Sequence, residues 1–259
     1  MLTKLYSRRE KVKKMKRTID VGWVIKTQKT DIMWYEPEPF RQNVPVNPNA
    51  KSVQKCPSAI DFDNRHFVVK CPYDLHLRIG KTADGKPQLL NVQGNNSAVR
   101  PSVMNQIMML HPQEEWRHPE RPLLQFVTPY ILVADDPVWV NQLPPYLDFL
   151  KTHRPGVMVS GRFPAHLWPR PFMWAFEWHD INSDLILRRG EPWFYLRFET
   201  EDPTMNIRMV EAEWTEEVAA FAQSILDVSN FTNRTYSLFR AAESKRPINL
   251  LKPKASSKT

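Results

Sequence analysis

Alternation of apolar and polar positions dominates this chain, and it predicts strands. Residues 21–27 and 30–36 carry β-branched or aromatic side chains at alternate positions around a polar turn at Gln28-Lys29. Residues 66–69 form another short run. In 74–79, Leu75, Leu77 and Ile79 alternate with Asp74, His76 and Arg78, and Ala83-Asp84-Gly85-Lys86 turns the chain into 87–92 as a hairpin. Runs at 123–127, 130–133 and 138–140 follow. The strongest pattern is at 172–178, where a strand puts Phe172, Trp174, Phe176 and Trp178 on one face. Residues 185–188 form a short strand. Residues 193–199 form a longer one, with Phe194, Leu196 and Phe198 opposite Trp193, Tyr195 and Arg197. The two aromatic strands are expected to pair with each other, because cross-strand aromatic pairs stabilise sheets. Residues 205–210 make a last strand.

The period then changes. Thr215 is placed to cap a helix whose first turn holds Glu216 and Glu217, and Val218, Phe221, Ala222 and Ile225 follow at helical spacing. A second helix is predicted over 235–245, and brief ones over 102–110 and 145–153. Residues 37–53, rich in Pro and Asn, read as a long loop. The expected fold is mainly β, with about ten short strands in an antiparallel sandwich or jelly-roll-like domain and C-terminal helices.

Composition sharpens this picture. Of 259 residues, 23 are Pro and only 7 are Gly, which favours short strands over long helices and leaves little bare backbone to cradle phosphates. No GxxxxGK[ST], GxGxxG or GxSxG occurs, so the usual signatures of nucleotide hydrolysis, dinucleotide binding and serine hydrolysis are missing. Two cysteines do not make a disulfide framework. The net charge of +8 is unevenly placed. Residues 1–17 hold eight basic side chains and one acid, residues 243–259 hold five and one, and the body from 18 to 242 is mildly acidic. This divides the chain into a basic flexible N-terminal tail (1–17), one mainly-β domain (18–242) and a basic C-terminal tail (243–259). The tails suit salt-dependent, non-specific contact with nucleic acid or another polyanion. No apolar run is long enough for a membrane helix and no secretory leader stands at the start, which predicts a cytoplasmic setting without membrane contact.

Two constellations could ligate metal. Cys56, His66, Cys71 and His76 form C-x9-H-x4-C-x4-H, which lacks the short knuckle spacing of zinc sites, so both thiols are expected to be small buried groups at strand ends. Glu177 and His179 share a strand face. With His166 they could complete a two-histidine, one-carboxylate Fe(II) site of the kind found in jelly-roll oxygenases.

The aromatic content (9 Trp, 7 Tyr, 13 Phe) is the most unusual feature. Most of it reads as core. Trp168, Trp178 and Trp193 could instead form a platform or an interface anchor, with Arg162, Arg170 and Arg197 stacked on rings or paired with carboxylates. Arginines that line an open pocket would favour an anionic ligand.

The segments Gly161-Arg-Phe-Pro-Ala-His-Leu-Trp-Pro-Arg-Pro171 and Arg189-Gly-Glu-Pro-Trp-Phe-Tyr-Leu-Arg-Phe-Glu199 resemble an uncharacterised family of about this length, seen in tailed phages of marine cyanobacteria and in some bacteria. The resemblance spans about 56–213. That family has no assigned activity, so the resemblance implies no catalytic residues and only a host-cytoplasm or virion setting. The expected function is a non-catalytic binding or accessory role through an aromatic and arginine-containing surface (Arg162, Trp168, Arg170, Trp178, Trp193, Arg197), for a glycan, an anionic ligand or a second copy of the chain. The Fe(II) oxygenase (His166, Glu177, His179) and polyanion binding through the tails are the alternatives.

Overall fold

The structure is a computed structural model. It describes residues 18–26, 33–41, 53–148, 150, 153–229 and 235–255, so the N-terminal tail and the predicted turn at Gln28-Lys29 lie outside the described residues. In chain order the strands are β1 (Thr18–Ile25), β2 (Glu38–Pro39), β3 (His66–Lys70), β4 (Leu75–Lys81), β5 (Pro87–Asn91), β6 (Met108–Leu110), β7 (Leu123–Val127), β8 (Tyr130–Ala134), β9 (Val138–Leu143), β10 (Gly156–Met158), β11 (Gly161–Pro164), β12 (Met173–Trp178), β13 (Leu185–Leu187), β14 (Pro192–Thr200) and β15 (Asn206–Glu211). The helices are α1 (Pro57–Asp63), α2 (Met104–Ile107), α3 (Glu216–Ser229) and α4 (Thr235–Lys245).

These strands form four sheets, in the orders β15-β1-β8, β10-β12-β7-β6, β11-β9-β14-β3-β2 and β13-β4-β5. Among the described residues all strand pairings are antiparallel except β1 with β15, which is parallel. The mainly-β sandwich is therefore as expected, with one parallel pair added. The hairpin β4–β5 is present as predicted, closed by hydrogen bonds from Thr82 N to Lys86 O and Gly85 N to Thr82 O.

The strands β12 and β14 do not pair. The first bonds to β7 and β10, the second to β3 and β9. They face each other across the core from different sheets, with the Trp174 and Trp193 ring centroids 5.6 Å apart and those of Phe172 and Phe194 6.4 Å apart. Aromatic rows attract each other as well across a sandwich as along a sheet, so alternation fixes the face and not the neighbour. A register shift between Pro192 and Phe194 marks a bulge, and it brings Trp193 into the same core as Phe194, Leu196 and Phe198 instead of the opposite face. Phe172, Trp174, Phe176 and Trp178 share one buried face as the alternation predicts.

A second core lies behind the sheet β15-β1-β8. Ile19, Val21 and Trp23 enter the main core, whereas Val24 and Val133 meet Val218, Phe221, Ile225 and Leu238 of the C-terminal helices. Thr215 Oγ1 accepts the Val218 N–H at 3.2 Å, the cap expected for α3. The predicted helix at 102–110 is cut short, since α2 ends at Ile107 and Met108 opens β6. Residues 145–148 form a turn, not a helix, and residues 33–36 are not strand.

The basic C-terminal segment is not a free tail over its described part. Arg246 donates to the carbonyls of His166 (2.7 Å), Ala134 (2.7 Å) and Asp135 (3.0 Å), Leu250 is buried, and the Leu250 and Leu251 N–H groups both reach Asp135 Oδ1. Lys252 and Lys254 pair with Glu213 and Glu211. Charge density alone suggested solvation, but Leu250 and Leu251 gave the segment an apolar reason to dock. No helix among the described residues is long and apolar enough to cross a membrane.

One ion cluster ties β13 to β4. Asp184 accepts Arg78 Nε at 2.7 Å and Nη2 at 2.8 Å, and His76 Nε2 lies 2.6 Å away. The Arg78 hydrogen bonds, followed by those of His76, draw the Asp184 carboxyl down to about 2, against about 3.9 in an open chain. A carboxylate depressed on folding stabilises fully above its unfolded pKa and loses that contribution as pH falls through its folded one. The urea midpoint of the wild type is therefore expected to drop between pH 4 and pH 2, and Asp184→Asn to be less stable near neutrality with a smaller drop. Parallel midpoint–pH curves for the two proteins would contradict this.

Candidate ligand site at Trp168 and Arg170

The connections β10–β11 and β11–β12 cross between two sheets where both end, since β10 and β11 are edge strands of their sheets. At this seam lies a cavity of about 200 Å³, lined among others by Gln142, Ser160, Phe163, Trp168, Arg170 and Phe172. The local sequence dictates the geometry. Pro164, Pro169 and Pro171 prevent a continuous strand, and the Leu167 and Trp168 N–H groups turn back onto Pro164 O. That turn lays Trp168 between Phe239 of α4 (centroids 5.2 Å apart) and the Arg170 guanidinium (4.6 Å from the ring centroid).

The electrostatics of the cavity run one way. Among the described residues Arg170 has no carboxylate partner, and its burial lowers its pKa from the ordinary guanidinium value. The indole Nε1–H of Trp168 is enclosed with no acceptor, and so is Nε2 of Gln142, a residue only 5% exposed. No acidic side chain lines the cavity. Enclosed donors without acceptors are costly, and most buried polar groups in folded proteins are paired. Of the lining groups, the half-buried Arg170 guanidinium beside an aromatic wall is the one fitted to hold a small anion.

The other expected site residues fall elsewhere. Trp178 and Trp193 are fully buried and cannot face a ligand, which corrects their assignment to a binding surface. The physical reason is the sandwich itself, which turns the alternating stripe inward, together with the bulge that adds Trp193. Arg162 and Arg197 are on the outer side of the sheet and share Glu199, at 2.9 Å and 2.7 Å, with Arg162 also over Trp139 and Arg197 over Phe62. Both are paired with Glu199, so of the three arginines Arg170 is the one without a carboxylate partner among the described residues.

The metal readings fare differently from one another in detail and alike in outcome. Glu177 and His179 do meet, at 2.9 Å, as their shared face predicted. Glu177 is 3% exposed and also accepts Arg117 Nε at 2.9 Å and Arg121 Nη1 at 3.4 Å. Burial alone would raise its pKa, and the hydrogen bonds from Arg117 and His179 outweigh it and hold the pKa low. His166 does not join them: its Nδ1 lies against the Val138 backbone and its carbonyl accepts from Arg246. The Fe(II) triad is thus not assembled, because the carboxylate is already neutralised by arginines and the second histidine belongs to another part of the fold. The cysteine–histidine set is scattered too. Cys71 is buried with its Sγ 3.5 Å from Tyr73 O, His76 is bound to Asp184, and Cys56 is exposed, contrary to the expectation that both thiols are buried. Among the described residues no group of three or more His, Cys, Asp or Glu side chains is arranged to hold a metal.

Gln142 was not among the expected site residues. A single glutamine in a strand carries no sequence signal, and only the seam between sheets gives it a role. No protein-family model, curated protein or solved structure matches the chain.

Proposed function

We propose that this chain is a binding protein for a small anion carried on a flat apolar body, held at the Trp168–Arg170 cavity. The observation that carries this reading is a half-buried guanidinium that lines the cavity, stacks on Trp168 and has no carboxylate partner among the described residues. The size of the cavity suits one ring with one anionic head. Arg170 stands over the Trp168 ring, which argues for an anion at the guanidinium and against a sugar stacked on that face of the indole.

Benzoate and its neutral isostere benzamide, titrated calorimetrically, test this. A hydrogen bond to a charged group is worth about 1.5–3 kcal/mol, so benzoate is expected to bind about 10–100 times more tightly than benzamide. Arg170→Met should abolish that preference while leaving the melting temperature nearly unchanged. Equal binding of the two probes, or no binding of benzoate, would refute the proposal.

A further inference from the structure

A second group of polar residues lies on the outer face of the sheet β11-β9-β14-β3-β2, away from the cavity. His66 opens β3 and is 1% exposed. Its Nδ1 lies 2.8 Å from Phe62 O and its Nε2 lies 2.6 Å from the Tyr146 hydroxyl. A carbonyl oxygen only accepts, so Nδ1 carries the ring proton and donates to Phe62 O. Nε2 is then the bare lone pair, and Tyr146 donates its O–H to it. This is the order hydroxyl, imidazole base and fixed orienting acceptor that activates oxygen nucleophiles.

The groups around the pair hold both partners neutral at rest, with the imidazole free to accept a proton and the phenol still carrying its own. Burial lowers the pKa of His66; the hydrogen bond to the Phe62 carbonyl opposes it, the Arg197 charge from β14 adds to the lowering, and Asp63 of α1 pulls weakly the other way. Burial raises the Tyr146 pKa, with Arg197 pulling it back and Asp63 adding to it, so the phenol keeps its proton at rest and needs a base to lose it. The remaining neighbour, Tyr195, spends its own hydroxyl on Asp148. Tyr146 itself is 48% exposed and lines a cleft of about 320 Å³ together with Asp148, His153 and Arg154.

We propose that Tyr146 is a nucleophile, with His66 as its general base, that takes an acyl group from an activated ester. The Tyr146 oxygen attacks the ester carbonyl carbon as its proton passes to His66 Nε2. The tetrahedral intermediate collapses with cleavage of the bond to the leaving oxygen, which departs with the electron pair. The imidazolium then gives its proton to that leaving group or to water. The products are an O-acyl tyrosine and the free alcohol or phenol.

The probe is p-nitrophenyl acetate, incubated with the full chain, with acetylation located by peptide mass spectrometry. Tyr146 is expected to acetylate at least about tenfold faster at pH 7 than N-acetyltyrosinamide in the same solution, below the lower end of what general-base catalysis usually supplies. A smaller advantage overturns the proposal. Tyr146→Phe should lose that label, and His66→Gln should bring the Tyr146 rate down to that of the free phenol. An unchanged rate in a folded His66→Gln protein overturns the role of the base. If that variant does not fold, the wild type decides by its pH profile. A free phenol of pKa about 10 loses about 100-fold in rate from pH 8 to pH 6. Tyr146 with a neutral His66 beside it should lose less than about tenfold, and a loss as steep as that of the free phenol overturns the proposal.

Discussion

Replacing Trp193 by alanine is expected to destabilise the fold by about 4 kcal/mol, within the range measured for removing a buried large aromatic. Trp193 is fully buried and touches Tyr73, Phe126, Trp174 and Phe194, at centroid distances between 5.5 and 5.8 Å. These rings come from both halves of the sandwich, so the loss opens a cavity at its centre. Its Nε1–H, however, is enclosed without an acceptor. Trp193→Phe removes that unmet donor while keeping most of the ring, and should cost less than about 1.5 kcal/mol. Urea denaturation of the two variants checks this. Equal losses would mean that indole volume does not govern the site.

The second large effect is expected at Gly156. A Cβ there would lie 2.0 Å from Glu177 O and 3.0 Å from His179 N, both of them backbone atoms that cannot swing aside. The residue pairs with Trp178 in β12, and its chain continues through Met158 into Val159 and Ser160, which line the cavity. Gly156→Ala must therefore pull β10 off β12. We expect a loss of roughly 2–4 kcal/mol and faster amide exchange at residues 156–160, with weaker benzoate binding as a consequence. Wild-type stability and exchange in this variant would show that β10 is not held against β12 as described.

Much of the architecture was legible in the chain. The stripe Phe172, Trp174, Phe176 and Trp178 announced a buried face because side chains alternate across a strand, and Thr215 with Glu216 and Glu217 announced α3. What could not be read was which strand lies next to which. The partner of β12 is set by contacts between distant segments, and the same aromatic row would satisfy β14 either beside it or opposite it. The inward turn of Trp193 depends on a single extra residue in β14, which leaves no periodic trace. The docked C-terminal segment was hidden under its lysines, although Leu250 and Leu251 carried the opposite signal. Of the site, Trp168 and Arg170 stood out by residue type in a proline-rich stretch. Gln142 did not, and nothing in the residue order separates Arg170 from Arg162 and Arg197, since the difference is Glu199, a partner that sheet register supplies to those two alone.

The central claim is that Arg170 meets an anion in the cavity. The indole Nε1–H resonance of Trp168, assigned through Trp168→Phe and followed in ¹⁵N-labelled protein during a benzoate titration, tests it on the ring that the guanidinium covers. The account predicts a saturable shift of that resonance with benzoate, absent in Arg170→Met. A Trp168 resonance that stays in place while benzoate binds, or moves equally with benzamide, would contradict it.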